Sequence, residues 1–158
     1  MKVTVNWQGD MAFTGESPSG FPVQMDSATD FGGTNKGPRP MELIGLGLAG
    51  CTAMDVISIL KKKRQELTHF DVKMDAPRSH EHPKVFTKAT ITYVVSGRNV
   101  SEEAVLRAIE LSATKYCPAQ IMFSQAFPID LHYEIYEDDG DGSKALTHQG
   151  IWQELAEG

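Results

Sequence analysis

From Met41 to Leu60 the chain is apolar almost all round. It carries glycines at Gly45, Gly47 and Gly50 and ends on the basic run Lys61-Lys62-Lys63-Arg64. No strict alternation runs through this segment and its length is ample for a helix, so it is predicted as a buried central helix. The basic run suits the C-terminal end of such a helix, where the dipole favours cations. A membrane span closed by a basic stop is the competing reading. It is disfavoured because the run is near the minimum length and contains Asp55, and a charge at mid-helix costs about 2.5–3.5 kcal/mol on insertion scales. The glycines add a second constraint. Each costs about 0.8–1 kcal/mol against Ala in a helix interior, so close approach of another backbone, a tightly packed second helix, is expected to offset them.

The rest of the pattern places strands and shorter helices around this segment. Val3, Val5 and Trp7 alternate, Gly9-Asp10 supplies a turn, and Met11 and Phe13 resume the alternation, which predicts a hairpin. Phe21, Val23 and Met25 make a third short strand, with Pro22 marking an edge. Residues 26–40 are turn-forming in composition and predict a long loop. Phe70, Val72 and Met74 alternate, and the run from Val85 to Val95 is β-branched and aromatic, which predicts two longer strands. Ser101 is a candidate N-cap followed by Glu102 and Glu103, with Val105, Ala108, Ile109 and Ser112 on one face of a helix reaching about Tyr116. Pro118 fits the first position of a short helix through Ala126, and Ile129, Leu131, Tyr133 and Ile135 alternate as a last strand. The predicted order is βββ-α-ββ-αα-β, an α+β fold with antiparallel sheets around a buried central helix. Residues 1–137 form its domain. Glu137 to Gly142 is an acidic, glycine-rich linker without calcium-loop spacing, and residues 143–158 are predicted as a short amphipathic helix docked by Ile151, Trp152 and Leu155.

The chain has 158 residues, 41% of them hydrophobic and 23% charged, which is an ordinary composition for one globular domain. A chain of this length buries roughly 68–70% of its unfolded surface, enough for a core without a disulfide or a metal. Lys plus Arg is 15 against 21 for Asp plus Glu, a net charge of −6. A nucleic-acid partner is therefore not expected, since phosphate binding depends on clustered cations. Two cysteines are too few for a secreted disulfide scaffold, and Met1 to Trp7 lacks the apolar run of a signal peptide. A cytoplasmic protein that does not contact a membrane is the expectation.

The two cysteines are the candidates for chemistry. Cys51 lies within the apolar helix, where spacing alone favours a small core hydrophobe. Cys117 precedes Pro118 at a predicted helix start, where unpaired N–H groups and the dipole lower a thiol pKa, and a functional reading is there nearly even with a structural one. Neither belongs to a C-x-x-C, so any bridge between them would be made by the fold. The segments Pro40-Met41-Glu42-Leu43-Ile44 and Gly50-Cys51-Thr52-Ala53-Met54-Asp55, followed by Cys117-Pro118, resemble the OsmC/Ohr family. The departure at Met41 is similar to its less characterised YhfA-like branch.

The resemblance covers roughly Met1 to Glu137. It implies an intertwined homodimer whose central helices pack together, with a thiol-dependent peroxidase site at the subunit interface and no bound cofactor or metal. Carried over to this chain, Cys51 matches the peroxidatic cysteine and Cys117 the resolving one. A thiolate attacks the peroxide, becomes a sulfenic acid, and condenses with the second thiol to a Cys51–Cys117 disulfide that an external dithiol reduces. In well-characterised members a Glu directly follows the Pro of the motif and an Arg bridges it to the cysteine. Here Met41 stands in that place and the carboxylate is Glu42.

Nine residues at 100° each turn Glu42 about 180° from Cys51 and place it roughly 13.5 Å along an ideal helix, so it does not touch its own chain's Cys51. It is retained as an anchor for an arginine or as a group reaching a site across the dimer. Arg39, the only arginine among the first 63 residues, is the N-terminal candidate to stabilise the thiolate and polarise the peroxide, with Lys36 a weaker substitute. Asp55 follows Cys51 by four residues on one helix face, where a carboxylate raises a thiol pKa. Met41, Met54 and Met122 are candidates to line an apolar pocket that would favour organic hydroperoxides. His80 and His82 lack the further ligands a metal needs and read as a solvated loop, and His69, His132 and His148 receive no role. The expected function is hydroperoxide reduction in oxidative-stress defence. The alternative is a non-enzymatic dimer that binds an apolar small molecule or senses redox state.

Overall fold

A computed structural model describes residues 1–140 and 143–153. The chain divides into two compact units, Met1–Leu46 and Gly47–Gly158. In the first, strands β1 (Thr4–Gly9), β2 (Ala12–Glu16) and β3 (Val23–Met25) form an antiparallel sheet in that order. Trp7 pairs with Phe13 and Phe13 with Met25, so the expected alternation is met. Gly9 takes a φ of +105° at the hairpin turn, a conformation that glycine adopts without steric cost. Helix α1 (Pro40–Lys62) begins in this unit and continues into the second.

The second unit holds strands β4 (Glu66–Asp75), β5 (Ala89–Arg98), β6 (Ile129–Glu137) and β7 (Ala145–Trp152) in one four-stranded sheet. Helices α2 (Glu102–Leu111) and α3 (Pro118–Ser124) lie between β5 and β6 in sequence. Ile91, Tyr93 and Val95 of β5 and Leu131, Tyr133 and Ile135 of β6 form the core with Val105, Ala108 and Ile109 of α2. Ser101 caps α2 as expected, its Oγ accepting from Ala104 N. From α1 the core receives Leu48, Val56 and Leu60, which with the buried Thr52 recur every four residues as one helical stripe. By length and composition α1 could cross a membrane, but this stripe makes it a core helix. The opposite side is open: Met54 is 75% exposed, and a Cβ at Gly47 or Gly50 would meet nothing within 4 Å. Among the described residues no second backbone packs on those two glycines.

Four expectations are corrected. Residues 145–152, predicted within a helix, form β7, antiparallel to β6. The ladder satisfies an edge that β6 would otherwise leave unpaired, and Thr147, Gly150, Ile151 and Trp152 are poor helix formers. Leu155 lies outside the described residues. The acidic stretch after β6 is not simply a solvated linker, because Asp138 is only 6% exposed and accepts from Thr68 Oγ1 at 2.7 Å and Gly140 N at 2.9 Å. Those bonds hold its carboxyl below the usual range; residues 141 and 142 lie outside the description. The larger sheet is mixed, since β5 pairs β6 in parallel, as a connection through two helices allows and a hairpin does not. The strand expected from Val85 begins only at Ala89, with Phe86 held by an isolated bridge to Arg78.

Gly150 is where β7 depends on a missing side chain, because a Cβ there would lie 2.7 Å from Tyr133 Oη. Gly150→Ala is expected to destabilise the fold by about 1–3 kcal/mol through overpacking, measured by chemical denaturation.

Candidate functional site

Cys51 sits half-buried on α1, one residue before the buried stripe member Thr52. Cys117 is 0% exposed and ends a π-helical turn, Ser112–Tyr116, that follows α2. Its N–H donates to Ser112 O at 2.9 Å. Pro118 then supplies the first residue of α3, and the Cys117 Sγ caps that helix by accepting from Gln120 N at 3.3 Å. Both cysteines are free thiols, and Cys51 is among the groups that act on the Cys117 thiol.

The two sulfurs are not equivalent. Burial first, then the Cys51 side chain and the charges of Cys51 and Asp55, together push the Cys117 thiol up to about 12. Only the Gln120 N–H works in the other direction. This corrects the expectation that the helix start lowers the Cys117 pKa. The start of α3 supplies one short contact to the sulfur, whereas removal from water acts on the whole thiolate charge. Cys117 is therefore the sulfur that keeps its proton, and Cys51 is the more accessible of the two.

A chain of polar side chains packs beside this pair. The Thr52 hydroxyl is hydrogen-bonded to Tyr93 Oη at 2.6 Å and to Ser112 Oγ at 2.9 Å, and Ser112 Oγ donates to Asp55 Oδ2 at 3.3 Å. Thr52, Ser112 and Tyr93 are fully buried. Burial holds the Tyr93 hydroxyl protonated far above the ordinary tyrosine range, with Cys117 and Asp55 adding to the effect. Gln120 is 5% exposed, and its Oε1 has no hydrogen-bond partner among the described residues. Sequence reasoning gave no role to Thr52, Tyr93, Ser112 or Gln120. The available signal was a tyrosine in a β-branched strand, since the hydroxyl of a buried tyrosine must find a partner.

Arg39 and Glu42 belong to the first unit and are engaged locally. The Arg39 backbone N–H donates to Glu42 Oε2 at 2.9 Å, a capping arrangement at the start of α1. The Arg39 guanidinium donates to Gly37 O at 3.0 Å and to Asn35 Oδ1. The loop before it is organised by Asp26, 4% exposed, whose carboxylate accepts from the N–H groups of Ser27, Thr34 and Lys36 and from Thr34 Oγ1. These bonds, led by that of Lys36, hold the Asp26 carboxyl far below the ordinary carboxylate range. Met54 and Met122 stand exposed, so neither is enclosed in a pocket within one chain. His80 and His82 are exposed in their loop.

The fold and the paired thiols define an α+β protein of the kind that carries one cysteine on a long helix and a second at a later Cys-Pro helix start. The family model for the OsmC-like protein matches residues 33–132, and the chain belongs to that family. Protein YhfA of Escherichia coli strain K12 is 38% identical over 135 residues, an alignment that covers 85% of this chain and 98% of the relative. A hypothetical protein of Aquifex aeolicus VF5 shares the structure with a TM-score of 0.76 at 28% identity, over 87% of this chain and 97% of that one. An organic hydroperoxide resistance protein OsmC of Legionella pneumophila shares the fold with a TM-score of 0.59 at 16% identity, over 85% and 96% of the two chains.

The asymmetry of the thiols is directly measurable. A short iodoacetamide pulse on the reduced protein near neutral pH is expected to label Cys51 at least about tenfold faster than Cys117, read by peptide mass mapping. Because the fold favours the neutral Cys117 thiol, its contribution to stability is complete below the ordinary value of 9.0 and is lost as pH rises toward about 12. The melting temperature of Cys117→Ser is thus expected to fall less than that of the parent as pH is raised above 9.

Proposed function

We propose that this protein is a thiol-dependent peroxidase that reduces organic hydroperoxides. The observation that supports it best is a pair of free thiols that act on each other, one half-buried and one buried. The Cys51 thiolate attacks the terminal peroxide oxygen, the O–O bond breaks, and the alkoxide leaves and takes up a proton as the alcohol. Cys51 is then a sulfenic acid. Cys117 forms the S–S bond, the S–O bond breaks, and water leaves with the thiol proton. An external dithiol reduces the disulfide by exchange. Arg39 is assigned as the guanidinium that steadies the thiolate and polarises the peroxide, and Glu42, which accepts from the Arg39 backbone N–H, as the carboxylate that fixes its place. The name of the Legionella relative supports the substrate class. Two free cysteines are in keeping with a reducing cytoplasm.

The working form is proposed to be a homodimer. Met54, Tyr116, Ile121 and Met122 are exposed apolar groups on α1, the π-helical turn and α3, the elements that carry the thiols. The open space at Gly47 and Gly50 gives a second copy of α1 room to approach closely. Gly50→Leu is expected to halve the particle mass measured by light scattering.

Consumption of cumene hydroperoxide with a dithiol reductant tests the chemistry. Turnover is expected to fall to the rate of the free dithiol in Cys51→Ser, to accumulate a trappable sulfenic acid in Cys117→Ser, and to drop in Arg39→Ala and Glu42→Gln. A second reading, binding of an apolar small molecule without turnover, is favoured by a cleft of about 420 Å³ in the first unit, lined by Val5, Met11, Phe13, Met25 and Pro40 among others. Equal rates in all variants would favour that reading.

A further inference from the structure

Asp55 is drawn into the thiol site by a buried chain of hydroxyls from three separate elements. Tyr93 of β5 reaches Thr52 of α1, Thr52 reaches Ser112 at the head of the π-helical turn, and Ser112 donates back to Asp55 of α1. The same turn ends at Cys117, whose N–H closes on Ser112 O. Asp55 lies one helical turn beyond Cys51 on the same face of α1. The segment that delivers Cys117 is thus tied at its first residue to the stretch of helix that carries Cys51. A π-helical turn departs from the regular backbone at a cost and is frequent at functional sites. Here it sets where the second sulfur arrives.

We propose that Asp55 is a positioning residue for the resolving thiol: it holds the π-helical turn through Ser112, and its negative charge beside that turn slows how fast Cys117 closes on an oxidised Cys51. This rests on the reading of Cys51 and Cys117 as a working redox pair. In the closing step the Cys117 sulfur bonds to the Cys51 sulfur, the group on Cys51 leaves, and the Cys117 proton goes with it or to solvent. A neutral amide at position 55 would accept the Ser112 hydroxyl equally well. A carboxylate adds a negative charge beside a thiol that must lose its proton, and so delays closing. Cys51 and Asp55 of α1 and Tyr93 of β5 are the titratable groups that act on Cys117, opposed by the Gln120 N–H of α3. The delay leaves an oxidised Cys51 open to an external thiol before the internal bridge forms.

The test uses the closing step alone and needs no peroxide. Reduced protein is mixed with oxidised glutathione; Cys51 forms a mixed disulfide and releases one glutathione, and Cys117 then displaces the second. The lifetime of the mixed disulfide, followed by acid quench and mass spectrometry across pH, is the readout. Asp55→Asn keeps the acceptor and removes the charge, so closing is expected to be at least about threefold faster at neutral pH, with the whole pH profile moved down. Ser112→Ala cuts the tie and is expected to slow closing at every pH without moving the profile, and Tyr93→Phe to act in the same direction more weakly. A merely structural role would leave the Asp55→Asn profile where the parent's lies. An Asp55→Asn profile that coincides with that of the parent would overturn the proposal, as would Ser112→Ala closing at the parent rate. Cumene hydroperoxide in parallel separates the two readings: a shifted Asp55→Asn profile without peroxide turnover would uphold the role of Asp55 and sink the peroxidase.

Discussion

The second unit is organised around one hydroxyl. Thr52 lies in the middle of the apolar stripe by which α1 enters the core, and a polar group at 0% exposure is costly unless it is paired. Its partners are Tyr93 and Ser112, so pairing it sets the depth and rotation of α1 against β5 and against the turn after α2. Once that register holds, Cys51, the next residue back, faces the end of the same turn, and Cys117 is delivered there. The thiol pair follows from satisfying a buried donor and acceptor, with no local spacing to bring the cysteines together.

Water, and not the helix start, governs the chemistry of the pair. Two effects compete at Cys117. The backbone N–H of Gln120 and the opening of α3 favour the thiolate, and complete burial favours the thiol. Burial wins because it removes the solvation of a full charge, whereas the short helix offers one N–H at 3.3 Å. The outcome divides the labour between two identical side chains, leaving the protonated sulfur in the interior and the accessible one on the open side of α1.

That open side separates a helix that is apolar all round from one that is buried all round. Leu48, Thr52, Val56 and Leu60 are covered by the chain itself, while Met54, Gly47 and Gly50 face space that the described residues do not fill. An exposed apolar face on this scale is ordinarily a site of association. One chain buries only a stripe of a segment that its sequence reads as a central helix.

Much of this was legible in the residues. The alternations around Trp7, Phe70 and Leu131, the Ser101 cap and the Cys117-Pro118 helix start are local matters of periodicity and capping, which neighbouring residues decide among themselves. The long apolar helix was equally plain, because so long a run without alternation has few other uses. Three things were decided only by the tertiary structure. Residues 145–152 became a strand because an unpaired edge of β6 offered a ladder that their own sequence does not reveal. Cys117 became the protonated thiol because its burial depends on packing from α1, β5 and α3 together. Asp55, legible as a carboxylate one turn from Cys51, acquired its tie to the second sulfur through Ser112, 57 positions along the chain. Backbone preference is written within a few residues, but burial and hydrogen-bond partnership are set by segments that only folding brings side by side.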